Sequence, residues 1–214
     1  MTRSVILDIE THPLDDAAEF IEEPSAPANY KDPDKIAAYI AEKRAESLAR
    51  CALDIDLCRV VAVGWADETG EYVEVAPTEA DERVLLATIY LAIKGARCVI
   101  GFNHLGFDLP VLIRRGQYLG LTVPEINMDR YRTPHVDLLE KLSFNGKIKY
   151  RGLAFYCKRF GIDVPDPIAG KDVGALVREG KWEDVAAHCR ADVLKTKALA
   201  HRLGYVTMPD AVAV

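Results

Sequence analysis

Short apolar runs of strand length alternate with longer amphipathic stretches along this chain. Val5, Ile6 and Leu7 follow one another without a polar break, as in a central strand covered on both faces, and predict a buried strand over 4–9. CRVVAVGW (58–65) and YVEV (72–75), parted by the turn-forming DETGE, read as an antiparallel hairpin. RCVIG (97–101) is a further short buried strand, and HVD (135–137) closes a fifth. Thr78 and Asp81 form a capping box opening a helix that ends near Gly95. More helices are predicted over 107–118, where Pro110 falls in the tolerant first turn, and over 151–160, 171–179 and 182–202.

Residues 13–56 interrupt that alternation. The segment begins acidic. From Asp32-Pro33, an N-cap followed by a proline at the first helical position, it becomes rich in Ala, Glu, Lys and Arg, with apolar Ile36, Tyr39, Ile40 and Leu48. We read it as a helical insertion on the surface of one domain spanning 1–214. Three early strands, then strand–helix alternation, then helices predict the α/β class, a mixed five-stranded sheet flanked by helices.

Half of the residues are apolar, enough for a substantial core, and no apolar run approaches the roughly 18 residues of a membrane span. MTRSVILDIETHP carries charge too soon for a signal peptide, so the cytoplasm is the expected compartment. Five cysteines without a CxxC pair argue against a disulfide framework or zinc knuckle. The net charge of −6 argues against a uniformly basic nucleic-acid binder. One local strip runs the other way: from Lys141 to Phe160 there are six basic residues, no acidic one, and Tyr150, Phe155 and Tyr156 interleaved. That strip reads equally as a phosphate-contacting surface or as a solvated loop followed by a helix.

Four acids stand where they would be held at fixed angles. Asp8 and Glu10, in SVILDIET, are two apart on the first strand and project from one face. Asp108 ends CVIGFNHLGFD, after a buried strand, at the carboxyl end where sites gather in open α/β sheets; it could equally cap the following helix. His188 and Asp192, in HCRADVLKT, are four apart and share a helix face at the edge of the core. Such a carboxylate set is what a hard divalent cation takes, and it points to metal-assisted phosphodiester cleavage.

The order DIET, NHLGFD, HCRAD resembles the DEDD superfamily of 3′–5′ exonucleases, which have a ribonuclease H-like fold. The proofreading domains of family B DNA polymerases and small stand-alone exonucleases, phage-encoded ones included, are the members most alike. The resemblance covers most of the chain and is weakest over 13–56. It implies that Asp8 and Glu10 form the first motif, Asn103, Phe107 and Asp108 the second, and Asp192 the last. It implies two divalent cations, Mg²⁺ or Mn²⁺, held by Asp8, Glu10, Asp108 and Asp192, with His188 near the last aspartate orienting or deprotonating water. Its subgroup with a residue four before that aspartate uses Tyr, whereas the histidine subgroup places its His five before, where this chain has Ala187.

The implied substrate is a 3′ end of single-stranded or frayed nucleic acid, DNA ahead of RNA, met alongside replication or recombination proteins. Its contacts are expected from Thr11, Asn103, His104, Leu105, Phe107, Lys149 and Arg151. Two alternatives stay open at this level: an exoribonuclease, and a nuclease-like module that binds nucleic acid or a polymerase without cutting.

Overall fold

A computed structural model describes residues 4–129 and 132–206. Among them, five strands form one mixed sheet in the order β3-β2-β1-β4-β5, and helices cover both faces. These strands are β1 (Ser4–Pro13), β2 (Cys58–Ala66), β3 (Glu71–Val75), β4 (Cys98–Gly101) and β5 (Val136–Asp137). β2 runs antiparallel to β1 and β3, whereas β4 is parallel to both β1 and β5. The expected α/β architecture is therefore the observed one.

Parity along β1 builds the two layers. Val5, Leu7 and Ile9 pack with Val60 and Val63 against α2 (Glu79–Gly95) and α3 (Asp108–Tyr118). Ile6 turns the other way, toward α5 (Leu153–Phe160) and the long α7 (Trp182–Arg202). Val61 and Ala62 meet α7 and α6 (Val173–Arg178) on that same side. The continuous apolar run is thus a strand buried twice over.

β1 continues four residues beyond its expected end, through Pro13, because β2 goes on pairing with it. The register slips between Glu10 and Thr11, where Glu10 faces Ala62 and Thr11 faces Val60, leaving Val61 as the extra residue of a bulge. The Val60 N–H donates 2.7 Å to the Glu82 carboxylate, and the Ala76 N–H donates 2.8 Å to Val61 O. Glu82 is fully buried and bidentate to Arg115, at 2.9 Å from Nε and 2.7 Å from a terminal nitrogen. One ion pair therefore ties α2, α3 and the bulge.

Asp32 caps α1 (Pro33–Arg50), which buries none of its residues. The segment leaves and rejoins the sheet at one place, where the Leu14 N–H donates 2.9 Å to Leu57 O. α4 (Leu138–Leu142) is a five-residue helix absent from the sequence reading; too short for periodicity, it is capped by Asp137. No helix among the described residues is long and apolar enough to cross a membrane.

Candidate functional site

Asp8 and Glu10 share the parity of Ile6 and so face α7. Opposite Asp8 in the ladder stands Gly64, and a side chain there would press on Cys189 Sγ, 3.1 Å from the Cβ position. Lacking one, β2 lets α7 ride directly on the sheet. Ligand atoms of Glu10, His188 and Asp192 consequently lie within 4.8 Å of one another, as do those of Asp8, Glu10 and Cys189.

Asp108 reaches the same place from the end of β4. The connecting turn passes through Asn103, whose φ of 63° is a left-handed conformation that asparagine tolerates. Asp137, 2% exposed at the end of β5, pins that turn by accepting the Asn103 N–H at 3.0 Å and the Leu105 N–H at 3.1 Å. The Gly106 and Phe107 N–H groups both donate back to Asn103 O at 3.0 Å. α3 then begins at Asp108, which is 5% exposed. Asp8, Asn103, Phe107, Asp108, Tyr150, Arg151 and Asp192 line a cleft of about 450 Å³.

Burial first, then Asp108, Glu10 and Asp192, pushes the Asp8 carboxyl well above its ordinary range. Burial, then Asp192 and Asp108, pushes Glu10 up to about 8. Burial takes Asp108 to about 7, with His104 and backbone amides opposing. Lys195 offsets part of the negative charge at Asp8 and Glu10. Buried carboxylates short of positive charge are costly, and their hard oxygen donors fit a divalent cation of the Mg²⁺ or Mn²⁺ kind.

His188 is 4% exposed, with Nε2 at 3.6 Å from Glu10 Oε1 and Nδ1 at 2.9 Å from Asp166 Oδ2. Lys195 Nζ bridges Asp166 and Asp192, donating to the latter at 2.7 Å. Asp166 and Lys195 were not among the expected site residues. Asp166 sits in an irregular VPDP segment with no periodicity to read, and Lys195 looks like an ordinary solvated helix lysine. Gly64, a glycine inside a strand pattern, carried the one usable signal of a close approach.

The expected substrate contacts divide. Asn103, Phe107 and Arg151 line the cleft, and the Arg151 guanidinium lies 5.0 Å over the Phe155 ring. Leu105 and Phe107 are also packed against the α2–α3 core. His104 is corrected: it is fully buried, 3.6 Å from Asp137, because the turn folds it beneath Gly101, out of reach of a substrate. The Thr11 hydroxyl donates at 2.6 Å to Ala52 O and locks the strand end to the chain returning from α1, and Thr11 is outside the cleft lining. Lys149 is exposed and outside the cleft lining.

The model of a family described as a predicted 3′–5′ exonuclease related to the exonuclease domain of PolB matches residues 52–208. That span holds Asp108, His188 and Asp192 and begins after Asp8 and Glu10. Among solved structures, the chain is similar to the family B DNA polymerase from the hyperthermophilic archaeon Pyrobaculum calidifontis, with a TM-score of 0.63 and 21% identity. The likeness covers 95% of this chain and 24% of the polymerase, and at that identity it is one of fold. No curated protein matches the sequence.

Proposed function

This chain belongs to the family of predicted 3′–5′ exonucleases related to the exonuclease domain of PolB, and from that membership we propose that it removes nucleoside 5′-monophosphates from the 3′ end of single-stranded or frayed DNA. The reading is supported above all by Asp8, Asp108 and Asp192, from the beginning, middle and end of the chain, lining one cleft, with the Glu10 carboxylate within 4.8 Å of Asp192. These four would hold the divalent cations, two in this proposal. When bound, the cations would supply Lewis-acid activation of water and charge neutralisation at the phosphate.

The protein's own groups do the rest. His188 Nε2 accepts the proton of the attacking water. Phe107 offers an apolar ring to the terminal base, a sequence-tolerant contact, and Asn103 borders the same cleft. Arg151, with Lys149 beyond it, meets the phosphates further along the strand. DNA is favoured over RNA because the polymerase that shares the fold is a DNA polymerase, and replication or recombination is the setting that chemistry suits. The stretch 13–56 is an insertion in the single nuclease domain of this proposal.

Incubating 5′-labelled DNA and RNA side by side with Mn²⁺, with and without chelator, tests it. A metal-dependent ladder on DNA is the expected result. A ladder on RNA alone would make the chain an exoribonuclease, and a retarded but uncut band would make it a binding module.

A further inference from the structure

We infer that Asp166 is a positioning residue: it holds the His188 ring in the tautomer that leaves Nε2 bare and turned toward Glu10, and Lys195 holds Asp166 in place. This rests on the role proposed for His188.

Asp166 comes from an irregular link between α5 and the 3-10 turn Gly170–Asp172, yet its side chain is only 6% exposed. Pro165 and Pro167 flank it and restrict the backbone. Its two oxygens divide the work. Oδ1 accepts the Ile168 N–H at 3.1 Å, closing the local turn. Oδ2 faces His188 Nδ1 at 2.9 Å and also takes the Lys195 ammonium.

An ionised carboxylate only accepts hydrogen bonds, so the hydrogen between Asp166 and His188 belongs to Nδ1. A neutral imidazole then presents a lone pair at Nε2. That atom lies 3.6 Å from Glu10 Oε1, on the side where the carboxylates converge. Although burial opposes it, the Lys195 hydrogen bond and the Ile168 amide keep the Asp166 carboxyl below its usual range. Lys195 thereby ties the orienting acid to Asp192, whose Oδ1 it reaches at 2.7 Å. The logic is that of a base oriented by a buried acid, here on a histidine that stands four residues before the last aspartate.

Two measurements on the full chain decide it. Long-range ¹H–¹⁵N spectra of the metal-free protein at pH 8, with His188 assigned by its absence in His188→Ala, should show the Nδ1–H form. Asp166→Asn should lose that signature. In kinetics with Mn²⁺, Asp166→Asn should lower kcat roughly 10–100-fold, the range for an orienting partner, with KM unchanged. It should cost less than about twofold further in a His188→Ala background, since residues acting as a unit are non-additive, and Asp166→Glu should recover part of the loss. An Nε2–H tautomer in the wild-type chain, or full additivity of the two losses, would overturn the inference. A wild-type chain that cuts no nucleic acid would sink the exonuclease reading instead, leaving the spectra to decide the role of Asp166.

Discussion

Gly64 and Val193 approach so closely that a Cβ on Gly64 would stand 2.6 Å from Val193 Cγ2. This contact sets the height of α7 above the sheet, and with it the distance of Asp192 and His188 from Asp8 and Glu10. Replacing Gly64 by Ala must push α7 outward or distort β2. Overpacking of this kind costs about 1–3 kcal/mol, to be read from urea unfolding. Because the displaced helix carries one side of the cleft, the metal requirement for activity should rise as well. An unchanged metal dependence would separate helix height from site assembly.

Metal removal should destabilise the protein in a pH-dependent way. Asp8, Glu10 (about 8) and Asp108 (about 7) all titrate above their ordinary range in the fold. In this window the folded chain binds more protons than the unfolded chain, so stability falls as pH rises. The contribution is complete below about pH 4, the ordinary carboxylate range, and is lost as pH climbs through those folded values. In chelator the melting temperature should therefore drop between pH 5 and pH 8, and Mn²⁺ should cancel most of that drop. Calorimetry at matched ionic strength checks it, and a flat profile in chelator would count against a strained acidic cluster.

The same strain makes a single substitution informative. Asp8→Asn removes a partly buried carboxyl whose ionisation is opposed by burial and by Asp108, Glu10 and Asp192 as pH rises. It should raise the melting temperature in chelator while abolishing both the Mn²⁺-induced increment and the nuclease activity. Stability gained together with function lost is the signature of a site whose repulsion serves binding.

Much of this arrangement is readable from residue order, for reasons that differ by residue. Strand parity alone places Asp8 and Glu10 on one face, and helix spacing pairs His188 with Asp192, because backbone geometry determines both. Thr78–Asp81 and Asp32–Pro33 mark helix starts through local hydrogen bonding, and the observed helices begin there. His104 is misread because the direction of a side chain in a tight turn depends on what lies beneath, here Gly101 and Asp137. Asp166 stays hidden for a related reason. Its importance comes from partners 22 and 29 residues away that only tertiary folding brings within reach.

The buried Glu82–Arg115 pair gives a prediction about the scaffold. Arg115→Met strands an uncompensated carboxylate, a loss of about 3–5 kcal/mol when a buried pair is broken. Glu82→Gln removes the charge partner yet keeps an acceptor for the Val60 N–H, so it should cost less than Glu82→Leu, which leaves that buried donor unpaired. If the bulge helps aim Glu10, Glu82→Leu should weaken Mn²⁺ binding more than an equally destabilising core truncation near the other end of α2, such as Ile93→Ala. Isothermal titration with Mn²⁺ makes that comparison.

The basic strip is tested by salt. Arg151 lines the cleft, whereas Lys149 lies outside it, so a strand threaded past Phe107 would meet Arg151 first. Each phosphate contact on a single strand contributes about 0.7 to the slope of log K against log salt. Arg151→Ala should reduce the slope by about that amount for an oligonucleotide of only a few residues as well as for a long one. Lys149→Ala should do so only once the strand is long enough to reach beyond the cleft. Fluorescence anisotropy in Ca²⁺, with labelled oligonucleotides of graded length, resolves the two. Equal effects at every length would mean that the strand leaves the cleft by another route, and the aromatic ring of Phe155 under Arg151 would then be packing rather than platform.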